Sequence, residues 1–174
     1  MLSPAQLATL KTDILANSAT LATAIAERDG PVIATFYNVL AVPDYWVFRS
    51  SVSKHEIVGT ASLDTDGLTP RSFIWAGNGF ISRSVTELLC WQELFNTAQT
   101  VDASKANVRQ AFSDIFSGAG NAASNRTHLL NIGRRLASRV EKLLAVGTGA
   151  ITAPSTMGFE GALAPQDVLD ALDS

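Results

Sequence analysis

The stretch from Ser82 to Phe95 limits the fold more than any other part of the sequence: it is the clearest long helical repeat, and it is apolar on two sides. Ile81, Val85, Leu88, Leu89 and Phe95 recur at helical spacing along one face, while Cys90, Trp91 and Leu94 spread apolar surface beyond it. A surface helix needs only one apolar stripe. A helix with two is either central to its domain or shared between neighbouring copies, which makes Trp91, Leu94 and Phe95 candidate interface residues.

Shorter helical segments surround it. Ser3-Pro4 is an N-cap followed by a first-turn proline, and Leu7, Leu10, Ile14 and Leu15 then fall on one stripe, so a helix is expected over about 4–16. Asn17-Ser18 breaks it, and a second helix carrying Leu21, Ala22 and Ile25 is expected to stop at Asp29-Gly30 before Pro31. Val32 to Asn38 is too short to type by period, with helix preferred. From about 41 to 80 prolines, Asp64, Asp66 and several Ser and Thr punctuate two apolar clusters, Tyr45 to Phe48 and Phe73 to Trp75, and this reads as an irregular insertion. Lys105 to Phe116 has a clean amphipathic repeat. Ser124 to Ile132 and Ala137 to Leu144 read as two helices or as one running through Gly133. The segment from Gly147 is rich in Gly, Thr, Ala, Ser and Pro and closes with a short helix, Pro165 to Leu172. The expected architecture is mainly α: a helical body over 1–147 that includes the insertion, and an extended C-terminal arm over 148–174 ending in a short helix.

Composition narrows the function classes. A chain of 174 residues suits one domain. Charged residues make up only 17% against 47% hydrophobic, below the roughly 25% charged usual for soluble domains. That balance fits a subunit that covers part of its surface with neighbours, and equally a compact Ala-rich monomer. A net charge of −3 argues against wrapping nucleic acid or gripping anionic membranes. No apolar run is long enough to cross a bilayer and no secretory leader is evident, so no membrane partner is expected. The single cysteine, Cys90, cannot form an internal disulfide and suits a reducing compartment, and its apolar helix predicts a buried thiol.

Chemistry-bearing motifs fail one by one. His55-Glu56 needs a second histidine four residues on for a zinc-protease helix, and that position is Gly59. His128 lies in a helical segment and reads as a capping, surface or satisfied core residue. Gly118-Ala119-Gly120 follows a helix where a dinucleotide loop must follow a strand, and Gly147-Thr148-Gly149 lacks the ending of a phosphate loop. No catalytic residue, cofactor or metal is therefore predicted. What the sequence does segregate is charge. Lys105, Arg109, Arg126, Arg134, Arg135, Arg139 and Lys142 face three acids between 101 and 147, whereas Glu160, Asp167, Asp170 and Asp173 have no basic residue beside them near the C-terminus. The two regions suit either pairing between copies or two solvated faces. Arg135, Arg139 and Lys142 are expected on one helix face.

Five blocks taken together carry a resemblance: Phe36-Tyr37-Asn38; Tyr45-Trp46-Val47 with Ser50-Ser51-Val52; Ala106-Asn107-Val108-Arg109-Gln110-Ala111; Ser138-Arg139-Val140-Glu141-Lys142-Leu143; and Phe159-Glu160-Gly161 with Gln166-Asp167-Val168. Over most of its length the chain resembles a family of small tailed-bacteriophage structural proteins, similar in size and helical layout to the head–tail connector adaptors that attach below the portal. The resemblance implies a ring of copies, conventionally a dodecamer. Such a ring extends the portal channel, lets genomic DNA pass without sequence-specific binding, and offers a platform to the next neck or tail protein. It implies the virion neck as location, with host cytoplasm during assembly. Beside Trp91, Leu94 and Phe95, the candidate contacts with the portal or a second copy are Arg135, Arg139, Met157, Phe159, Asp167 and Leu169. A tail terminator, tail tube or capsid decoration protein is the alternative within the virion. A small hydrolase around His55 and Glu56 is the alternative outside it.

Overall fold

Ser3 starts the first helix as its sequence demands: its Oγ accepts the Gln6 N–H at 3.3 Å, and the Gln6 side chain accepts the Ser3 N–H at 2.8 Å. Helix α1 (Pro4–Ala16) follows, then α2 (Ser18–Ala26). Asp29 does not merely end α2. Its carboxylate accepts the Val32 N–H at 3.1 Å and caps α3 (Gly30–Asn38), with Pro31 in the first turn where a missing N–H costs nothing. The computed structural model describes residues 1–66, 68–96 and 99–174; Gly67, in the expected insertion, lies outside them. The fold is mainly α. Nine α-helices occur among the described residues, and the strands are pieces of two or three residues.

Three further helices begin with the same reciprocal cap. Ser53 with Glu56 opens α4 (Lys54–Gly59), Ser84 with Glu87 opens α5 (Val85–Leu94), and Ser138 with Glu141 opens α8 (Arg139–Leu144). Between α5 and α8 lie α6 (Ala106–Ile115) and α7 (Asn121–Ile132). Residues 134–136 are extended, so the candidate continuous helix through Gly133 does not form, and Arg135 does not share a helix face with Arg139 and Lys142. The last helix is α9 (Pro165–Asp173).

The chain forms two compact units. The first comprises Met1–Val47 with Leu136–Ser174, and the second Phe48–Arg135. The bounds of these units differ from those of the expected body over 1–147 and arm over 148–174. In the first unit α9 is a core helix: Val168 and Ala171 are fully buried and join Leu10, Ile14, Ile33, Tyr37 and Val140, with α9 packed on α1 and α3. Sequence composition suggested an extended arm, but the Val168/Ala171 stripe needs cover, and α1 and α3 supply it. Gly30 permits the close approach, since a Cβ there would sit 2.8 Å from the Pro165 carbonyl oxygen.

Aromatic rings fill the second unit. Trp91 is 1% exposed; it stacks on Phe73 at 5.6 Å between centroids and meets Phe95 and Phe116 edge-on at 4.8 and 5.5 Å. The side of α5 bearing Trp91 is turned inward, and Phe95, which the spacing grouped with Val85 and Leu89, turns in with it at the C-cap, because two aromatic rings remove more surface from water than Val85 and Leu89 would. Trp91 and Phe95 are thus core residues and not interface residues. The side bearing Val85 and Leu89 is left facing solvent, together with Cys90, whose predicted burial is also corrected.

Candidate functional site

The outward face of α5 is the most unusual surface of the second unit. Ile81 is 73% exposed, Val85 74% and Leu89 58%, and Val85 and Leu89 stand one helical turn apart. Hollows flank this face. One, of about 640 Å³, runs past Lys54, Leu89, Cys90, Gln92, Glu93 and Gln99. The other, of about 350 Å³, is an apolar groove between α5 and α6 lined by Cys90, Leu94, Ala111 and Ile115, with Glu93 and Asp114 at its edge. Isolated exposed apolar residues are ordinary; here three lie within nine positions of one another, and Leu89 also lines the first hollow. Of the residues first singled out on this helix, Leu94 is half-buried and lines the second groove.

The first unit has a cleft of different character. About 480 Å³ in volume, it is lined by Asp13, Asn17, Thr20, Phe36, Tyr37, Ala41, Val42, Arg139, Lys142 and Leu143. The buried Tyr37 hydroxyl donates to Asp13 Oδ2 at 2.6 Å, and Asn17 Nδ2 donates to the same oxygen at 3.0 Å. Burial, reinforced by the Asp13 carboxylate, pushes the Tyr37 phenol above its ordinary range, so it keeps its proton and remains a donor. The Arg139 guanidinium lies over the Phe36 ring, 4.1 Å from its centroid, and the Lys142 ammonium is 5.7 Å from the Tyr45 ring.

Met157, Phe159 and Leu169 are half-buried in the first unit, and Phe159 packs against its core. Arg135 is half-buried in the extended stretch 134–136. Asp167 is 9% exposed, and its carboxylate accepts the Ala164 N–H at the start of α9, a local structural role. Asp173 pairs with Arg28 in its own unit at 2.6 Å. Much of the basic stretch serves local structure too: Arg109 stacks on Phe48 at 3.9 Å, and Arg126 donates to the Phe116 carbonyl at 2.7 Å.

The histidines are in contrasting places. His55 is exposed beside Glu56, whose carboxylate already accepts the Ser53 N–H at 2.9 Å and pairs with Arg49 at 2.7 Å; these bonds hold its pKa below the usual carboxylate range. His128 is fully buried. Its Nε2 faces the Ile57 carbonyl at 2.7 Å, which can only accept, so Nε2 carries the proton and Nδ1 accepts from the Ser62 hydroxyl at 2.7 Å. Both ring nitrogens are satisfied inside the core. Burial lowers the His128 pKa below 6.5. The unfolded chain therefore binds a proton that the folded chain refuses, and this stabilisation is present in full above about pH 6.5 and lost as pH falls towards the folded-state pKa. The expected slope is at most about 1.4 kcal/mol per pH unit. Urea titrations between pH 5 and 7 should show it, and His128→Gln should flatten it at a lower overall stability. Glu87 and Asp66, held at about 2, titrate outside that window.

Among the described residues no cluster of three or more His, Cys, Asp or Glu side chains could hold a metal ion, and no helix is long and apolar enough to cross a membrane. No family model, curated protein or solved structure matches the chain.

Proposed function

We propose that the chain is a structural subunit of a tailed-phage virion, a head–tail adaptor whose copies form a ring below the portal, extend the DNA channel and offer a platform to the next neck or tail protein. The observation that carries this reading is the outward apolar side of α5, where Val85 and Leu89, with Ile81 just before the helix, are exposed to solvent and Leu89 borders a hollow. Such a face is stable in solution only at a cost that contact with a second copy removes. Ring closure is head-to-tail and needs two different surfaces on each subunit. The first unit carries exposed apolar residues of its own, Val39 at 45%, Leu40 at 58% and Val146 at 78%, which meets that requirement. A net charge of −3 suits a conduit through which a polyanion slides without being gripped. Imaging virions that contain this chain, with the subunit located by a labelled fusion, tests the assignment. Density in a ring at the neck is the expected result, and label on the capsid shell or along the tail overturns it.

A further inference from the structure

The cleft of the first unit contains two cations with no acid to neutralise them. Among the described residues neither Arg139 nor Lys142 has a carboxylate within 4.0 Å, although Asp13 lines the same cleft. Asp13 is occupied: both the Tyr37 hydroxyl and the Asn17 amide bond to its Oδ2. Arg139 has five N–H donors, and its side chain makes one hydrogen bond, to the Phe36 carbonyl at 3.5 Å, the limit for such a bond. Stacking on Phe36 holds the guanidinium plane in place, so little side-chain freedom is lost when a ligand arrives. Lys142, three residues on along α8, lines the same hollow, and Val42, 81% exposed, adds an apolar wall with Leu143.

We infer that this cleft is a docking site for an acidic peptide segment of a partner protein, whose carboxylate is taken by the Arg139 fork with Lys142 beside it, while a neighbouring apolar side chain lies against Val42 and Leu143. The volume of about 480 Å³ is within the roughly 300–1,000 Å³ of ligand clefts. A planar, rigid guanidinium matches a carboxylate through two parallel bonds. Asp13 in the same lining favours a ligand that brings donors as well as anionic groups over nucleic acid or anionic lipid, whose phosphates offer it none. A peptide brings backbone N–H groups instead, and Asp13 Oδ1 is there to accept one. The inference uses only the first unit and is independent of the α5 face and of ring formation.

Isothermal titration of the full chain with a short acetylated and amidated peptide that alternates glutamate with leucine tests it. Binding is expected, with none for the glutamine counterpart. Arg139→Gln should weaken it about tenfold and Arg139→Lys should recover only part, since an ammonium cannot make the paired contact. Because Arg139 also packs on Phe36, thermal melts accompany these variants, and Lys142→Glu supplies a change at a side chain that makes no hydrogen bond among the described residues. Lys142→Glu should abolish binding with at most a small drop in the melt, from the lost contact with the Tyr45 ring. The inference is overturned by no binding of the acidic peptide, by equal binding of the glutamine peptide, by unchanged affinity in Lys142→Glu, or by tighter binding of a single-stranded oligonucleotide.

Discussion

Trp91→Ala is expected to destabilise the second unit severely, through its core and not through assembly. The indole is 1% exposed and touches the rings of Phe73, Phe80, Phe95 and Phe116, so its removal leaves a cavity walled by rigid aromatics that cannot collapse into it. Truncations of this kind cost about 3–5 kcal/mol, a large share of the roughly 5–15 kcal/mol that holds a typical domain folded. The loss should be read by denaturant titration followed by circular dichroism. Trp91→Phe, which keeps a ring against Phe73, should lose much less. A Trp91→Ala protein as stable as the parent but unable to self-associate would move Trp91 back to the surface and undo the account of the second core.

Leu89→Glu should do the reverse. Leu89 is 58% exposed and Val85 74%, so a carboxylate at position 89 meets water in the isolated subunit and leaves the melt within about 0.5 kcal/mol of the parent. In a contact between copies the same change removes about 1.5–3 kcal/mol of apolar burial and adds the cost of an unpaired buried charge. Every interface in a ring carries the lesion, so assembly should fail outright at concentrations where the parent assembles. Size-exclusion chromatography with light scattering distinguishes this from unfolding. Val85→Glu should behave alike, whereas Thr86→Glu on the same helix, away from the apolar row, is the control for added charge.

The contrast between these two substitutions also shows what could be read from the sequence. The starts of the first and last helices were legible because a first-turn proline is a local signal: Ser3-Pro4 placed α1, and Pro165 placed α9. Ser53-Lys54-His55-Glu56 carries a reciprocal-cap signal for α4, yet turn residues around it made the region read as irregular. The two apolar sides of α5 were visible as well. Which side turns inward was not, because that depends on Phe73, Phe80 and Phe116, distant in sequence, converging on Trp91. Long-range pairing hid the rest in the same way. The acidic C-terminal stretch looked like an arm because nothing local in it reveals that α1 and α3 cover Val168 and Ala171. Arg139 and Lys142 were noticed as charges, but the cleft they line exists only because α1, α3 and α8 bring Asp13, Phe36 and Tyr37 alongside.

Sedimentation velocity of the purified chain, run beside Leu89→Glu over a wide range of concentration, tests the central claim most directly, namely that the solvent-facing row of α5 joins copies into a closed ring. The account predicts one discrete high-order species for the parent that gives way to folded monomer in the variant. A parent that sediments as monomer throughout, or a variant that assembles as the parent does, would contradict it.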